Sequence, residues 1–140
     1  MKKLLCILLS SLLLLSCAVL FPAAEETNGP DWVITEICPD QQDIQFAYIA
    51  DWMGKHLTPD TPAVLTGDFN TEDFTAFDPV KSLGYALVND TAHEFKTFRH
   101  NPVAIDNIVY REGRMTPEAF GMVDSDASDH NLLWCRFTLR

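Results

Sequence analysis

Three short segments place carboxylates, an amide and a histidine where extended chain begins or ends. The first is Gly67-Asp68-Phe69-Asn70, directly after the run Ala63 to Thr66. Residues two apart on extended backbone point the same way, so Asp68 and Asn70 share a face. Asp68 could hold a hard cation or orient a nucleophilic water, and Asn70 could donate to a phosphate oxygen. Gly, Asp and Asn are also turn formers, so a plain turn is the competing reading. The second is Asp106, inside Ala104-Ile105-Asp106-Asn107-Ile108-Val109-Tyr110, where alternation puts Ile108 and Tyr110 on the same face. A carboxylate on an apolar face is costly to bury unless something pairs with it. The third segment, Ser128-Asp129-His130, offers the partner. A histidine held by a buried aspartate keeps one tautomer and a stabilised charged form. Hydrolases use that arrangement to orient a histidine or to meet negative charge on phosphorus.

The elements that must position these groups can be read from periodicity. Trp32 to Ile37 reads as a strand. Phe46, Ile49, Ala50, Met53 and Leu57 recur at three- and four-residue intervals and predict a helix, stopped by Thr58-Pro59-Asp60-Thr61-Pro62. Ala63 to Thr66 reads as a strand buried on both faces. Asp73 to Leu83 predicts a short helix with Gly84 as its stop signal. Further strands are expected at Tyr85 to Val88, Ile105 to Tyr110, within Met115 to Val123, and at Asn131 to Arg140. In the last of these Leu133, Cys135, Phe137 and Leu139 alternate with polar residues. Asn89 to Pro102 reads as loop and turn with a short strand around Phe95 to Phe98, and Asp124 to His130 as an acidic loop. Helices alternating with strands, then consecutive strands, point to an α/β layered fold.

Residues 1–24 are set apart as an export segment, 25–31 as a polar linker, and 32–140 as one small domain. Lys2 and Lys3 precede a run from Leu4 to Phe21 in which every residue is apolar, Ser or Cys. Leu14-Leu15-Ser16-Cys17 resembles a lipobox and would place a lipid on Cys17; this bacterial surface lipoprotein is the preferred reading. Cleavage near Ala23 or Ala24 would give a secreted or periplasmic protein. An uncleaved anchor is the third outcome, since about 18 apolar residues reach the lower limit of a bilayer span. The 140 residues carry a formal net charge of −10. That balance argues against sequence-independent binding to nucleic acid, which needs lysines and arginines to displace counterions. Outside the cytoplasm Cys38 and Cys135 could form a disulfide; two separate buried thiols fit equally well. The alternation in Asp124-Ser125-Asp126-Ala127-Ser128 suggests a calcium loop, but the sixth-position glycine and twelfth-position glutamate of such loops are replaced by Asp129 and Cys135.

Thr66-Gly67-Asp68-Phe69-Asn70-Thr71, Ala104-Ile105-Asp106-Asn107-Ile108-Val109 and Ser128-Asp129-His130-Asn131 occur in the order and approximate spacing of known motifs. The set resembles the C-terminal motifs of the endonuclease/exonuclease/phosphatase family, from about Trp32 to the C-terminus. The resemblance implies half of a four-layer α/β sandwich of the deoxyribonuclease type and a metal-dependent phosphoester hydrolase. It implies that Asp68 orients or deprotonates the attacking water and that Asn70 binds the scissile phosphate. Asp106 would pair with His130, which would stabilise the pentacovalent transition state. Asp129 would sit at or near the metal, Mg2+ or Mn2+. Family members are about twice as long, and their N-terminal half brings an asparagine and a glutamate to the metal. A further family histidine falls where Glu36 stands. A truncated gene product is therefore one expectation, and self-association covering the exposed sheet is another. Small organic phosphates or phospholipid head groups are the expected substrates, ahead of nucleic acid. The alternative is an inactive exported remnant or binding module of the same fold.

Overall fold

The computed structural model describes Lys3–Ile7, Cys17–Ala18, Ile34–Thr35 and residues 42–140, with side chains described for 42–140. Glu36, Cys38 and most of the export segment and linker lie outside the described residues. Among the described residues no helix is long and apolar enough to cross a membrane.

In chain order the strands are β1 (Lys3–Ile7), β2 (Cys17–Ala18), β3 (Ile34–Thr35), β4 (Val64–Asp68), β5 (Tyr85–Leu87), β6 (Asp106–Arg111), β7 (Met115–Val123) and β8 (Leu132–Leu139). The helices are α1 (Gln42–His56) and the single turn α2 (Asp78–Lys81), which continues a 3₁₀ turn at Phe74–Phe77. Two three-stranded antiparallel sheets result, ordered β4-β6-β5 and β1-β8-β7, with β2 and β3 pairing separately. The fold is thus mixed α/β, as the periodicity indicates.

Strand β6 explains the layering. It is central in its sheet, and all six of its residues are buried. Val109 faces a cluster built from Phe46, Ile49 and Met53 of α1 with Leu65, Phe69, Phe77, Val80, Tyr85 and Leu87. Ile108 and Tyr110 face the other way, onto Met115, Leu133, Cys135 and Phe137 of the second sheet. Helices therefore cover one face of the β4-β6-β5 sheet and the β7–β8 hairpin covers the opposite face. The α1 stripe locks in through three rings. Phe69 stacks on Phe46 at 5.8 Å between centroids, and Phe77 meets both edge-on at 4.7 and 4.9 Å.

Strand β4 departs from the expectation of burial on both faces. Leu65 is buried, but Val64, Thr66 and Asp68 on the other face are half-buried. The reason is position: Leu65 meets the helix layer, whereas the opposite face of this edge strand is only partly covered by the β7–β8 hairpin, which packs chiefly on β6. The helix expected from Asp73 to Leu83 is broken into the 3₁₀ turn and α2. Asp73 caps the turn by accepting the Thr75 N–H at 2.9 Å. Gly84 then ends the segment at φ +82°, a left-handed conformation that favours glycine. Strand β7 accommodates Pro117 because it too is an edge strand, and the register with β8 shifts between Pro117 and Ala119.

Strand β1 pairs with β8 from Lys3↔Thr138 to Ile7↔Trp134, although the sequence assigns these residues to the export segment. Cleavage before Cys17 would remove β1 and expose that edge of β8.

Phe69 is fully enclosed in the three-ring cluster. Phe69→Ala is expected to lower the free energy of unfolding by about 3–5 kcal/mol. Ile44→Ala, on the solvent side of α1 at 71% exposure, should stay within about 0.5 kcal/mol. Urea unfolding of both variants checks the contrast.

Candidate functional site

The β4–β6 ladder sets the site. Its last paired positions are Asp68 and Asp106, directly across from one another. Like charges at paired positions repel, and Asp106 is only 2% exposed, so the arrangement requires a compensating cation. His130 provides it from the residue before Asn131 and β8. Its Nδ1 lies 2.7 Å from Asp106 Oδ2, and its Nε2 lies 3.9 Å from Asp68 Oδ2. With the carboxylate accepting, Nδ1 is the protonated nitrogen and Nε2 is directed at Asp68. The imidazole thus stands between the two carboxylates. The 3.9 Å separation is too long for a direct hydrogen bond, and both groups can address one oxygen atom placed between them.

These environments shift proton affinities in useful directions. The hydrogen bond to Asp106 holds His130 above the ordinary imidazole range against the opposing effect of burial, and the Asp106, Asp68 and Asp129 charges add to it. Burial pushes Asp68 up, the Asn70 N–H it accepts pulls it down, and the Asp106 charge raises it again. That N–H lies 2.8 Å from Asp68 Oδ1 and turns the chain at the end of β4. Asn70 adopts φ +51°, a left-handed conformation asparagine tolerates. The Asn70 carbonyl accepts a hydrogen bond from the Gln42 amide in the first turn of α1. The helix therefore anchors the turn that presents Asn70.

Asp129 is exposed beside the histidine, and its backbone carbonyl accepts the Arg99 N–H at 2.9 Å. Among the described residues, no three His, Cys, Asp or Glu side chains converge as a metal cage requires. Magnesium is commonly held by one or two carboxylates, with water and substrate phosphate completing the shell. Asp129, exposed and close enough to raise both Asp68 and His130, fits that sparser role.

Asp68, Asn70, Asp106, Asp129 and His130, each singled out from sequence, therefore come together at one end of the β4-β6-β5 sheet. Cys135 is buried on β8, and Cys38 lies outside the described residues, as does the side chain of Cys17. The loop Asp124–Ser128, which lacks the glycine and glutamate of a calcium loop, is engaged instead by an arginine. The Arg99 guanidinium reaches the Ser125 carbonyl at 2.6 Å, the Ser128 carbonyl at 3.3 Å, Asp126 at 2.6 Å and Asp124 at 3.3 Å. One fork of donors satisfies the oxygens a cation would need.

Several supports escaped the sequence reading. Asn89 is fully buried and donates from Nδ2 to the Asp106 and Phe95 carbonyls, both at 3.0 Å. Its Oδ1 accepts the Phe95 N–H at 2.8 Å. Asn107 answers from β6, accepting the Asn89 N–H at 3.1 Å and donating to its carbonyl at 2.7 Å. These amides pin the loop after β5 against the start of β6. The only sequence signal was asparagine in an otherwise apolar setting, which in isolation reads as a turn.

No family model matches the chain, and no curated protein matches it.

Asp106→Asn is expected to move His130 down towards the ordinary imidazole range, as read by NMR titration of its ring protons. A raised folded-state value means the stabilisation is complete below the unfolded-state pKa and is lost as pH rises through the folded one. The stability advantage of the native chain over Asp106→Asn should therefore shrink as pH is raised from the imidazole range, measured by denaturant midpoints.

Proposed function

We propose that the chain is a metal-dependent phosphoester hydrolase, built on the C-terminal half of the endonuclease/exonuclease/phosphatase fold. The observation that carries the reading is the placement of His130 between Asp106 and Asp68, beside the turn that presents Asn70. Each residue then has a distinct task. Asp68 accepts a proton from the attacking water; its partly buried carboxyl holds a proton more tightly than an ordinary aspartate, which suits a general base. The water oxygen bonds to phosphorus as the ester P–O bond breaks, and the departing oxygen is protonated from solvent. Asn70 donates to a non-bridging phosphate oxygen and holds phosphorus in front of the water. His130, kept cationic by Asp106, faces the negative charge that builds on the equatorial oxygens. Magnesium or manganese, held by Asp129 with water and the phosphate itself, would supply charge neutralisation at phosphorus.

Two features guide the substrate class. The formal charge of −10 disfavours long polyanions, so a small organic phosphate or a phospholipid head group fits better than nucleic acid. The leucine-rich N-terminal segment, with Cys17 as a lipid acceptor, agrees with an exported protein held at or released from a membrane surface. We further propose that the β4-β6-β5 sheet and its helices correspond to half of a four-layer sandwich; since the β7–β8 hairpin already covers the sheet's second face, self-association would involve the outer face of the β1-β8-β7 sheet.

The test is hydrolysis of bis(4-nitrophenyl) phosphate and 4-nitrophenyl phosphate by the full chain with magnesium or manganese. Nitrophenol release should depend on the metal, stop with chelator, and fall by at least about 100-fold in Asp68→Ala and in His130→Ala. Folded chain without turnover on either ester would replace this reading with that of an inactive remnant.

A further inference from the structure

The segment Thr97-Phe98-Arg99 touches Asp106 and the Asp129-His130-Asn131 stretch that approaches the β4–β6 ladder from the loop before β8. Thr97 is fully buried, and both of its oxygens accept hydrogen bonds from the site's backbone. Its hydroxyl accepts the Asp106 N–H at 3.1 Å, and its carbonyl accepts the Asn131 N–H at 2.7 Å. One residue thereby holds the backbone of Asp106 and the backbone beside His130. Phe98 bridges to His130 through the main chain, and its ring lies 5.1 Å from the imidazole. Phe98 is itself braced by Val103, whose carbonyl accepts its N–H at 3.1 Å. Arg99 extends the grip outward, binding the Asp129 carbonyl from its own N–H and the Asp124–Ser128 oxygens from its guanidinium.

From this geometry we infer that Thr97-Phe98-Arg99 is a positioning strap that fixes the distance between Asp106 and His130. The histidine reaches the site on a loop, and its side chain is joined to β6 by the 2.7 Å contact with Asp106. A loop-borne group needs backbone anchors to stay within a few tenths of an ångström of its partner. Thr97 supplies them from between the two, and Arg99 stops the acidic loop from lifting Asp129 and His130 away. The strap touches neither substrate nor metal; it acts through His130. Its catalytic consequence rests on the hydrolase reading, whereas its structural consequence does not.

Two full-chain variants and one conservative control separate these. Thr97→Val keeps the shape and removes the hydroxyl acceptor, Thr97→Ser keeps that acceptor, and Arg99→Gln releases the acidic loop without entering the core. The first readout is the His130 Nδ1–H proton by NMR, a resonance seen only while the histidine stays bound to Asp106. It should persist in the native chain and Thr97→Ser, and broaden or vanish in Thr97→Val and Arg99→Gln while the remaining amide spectrum stays dispersed. The second is phosphodiester turnover with magnesium. There kcat should fall about 10- to 100-fold in Thr97→Val and Arg99→Gln with KM little changed, and recover in Thr97→Ser. Should Thr97→Val fail to fold, Arg99→Gln carries the same decision. A persistent Nδ1–H signal in the folded variants overturns the strap. A native chain that shows the signal but no turnover overturns the hydrolase reading and leaves the strap standing.

Discussion

A carboxylate at the head of a strand buried on both faces governs this structure. Asp106 enters β6 with 2% exposure, and a carboxylate in that position is costly to bury without a partner. The 2.7 Å contact with His130 resolves the problem and creates the next one, because the histidine is carried on the loop before β8, a strand of the other sheet. The loop before β8 must come to the end of β6 and remain there. Thr97, Asn89 and Arg99 are all used in meeting that demand. Asp68, opposed to Asp106 across the ladder, adds a second negative charge to the same imidazole. An arrangement serving stability alone would more simply put an apolar residue at either aspartate, since buried ion pairs contribute little compared with apolar packing. Three titratable groups held so closely are typical of a site that handles protons or anions.

The remainder of the fold keeps this end of the sheet rigid. The Phe46, Phe69 and Phe77 rings tie α1 and the 3₁₀ turn to β4, and Phe69 lies between Asp68 and Asn70 in sequence. Core packing thus fixes the residue separating the two groups that would meet the water and the phosphate. At the other end of β6, Arg111 is 6% exposed and binds the Leu83 carbonyl and the Tyr85 hydroxyl, with its guanidinium 4.1 Å over the Tyr85 ring. That contact joins the loops distal to the site, so β6 is pinned at both ends.

Much of this was legible in the sequence for physical reasons that can be stated. The α1 stripe of Phe46, Ile49 and Met53 follows helical spacing and is buried as expected. Asp106 required a partner because Ile108 and Tyr110 share its face, and His130 proved to be that partner. Less legible were features decided by neighbours distant in sequence. That β4 is an edge strand depends on what pairs beside it, which its five residues do not reveal. Thr97 carries no periodic signal; its importance comes from lying between Asp106 and Asn131 in space. Likewise the acidic run Asp124 to Ser128 resembles a cation loop until Arg99, 25 or more residues away, is seen to fill it.

The most direct discriminator is binding of orthovanadate, which adopts the trigonal bipyramid of phosphoryl transfer, to the full chain with magnesium. Amide and ring resonances of Asn70, Asp68 and His130 should shift together in one saturable titration, and His130→Ala should weaken binding by at least about tenfold. Saturation without any change at these residues, or equal affinity in His130→Ala, would mean that the Asp68–His130–Asp106 arrangement does not serve a pentacovalent phosphorus.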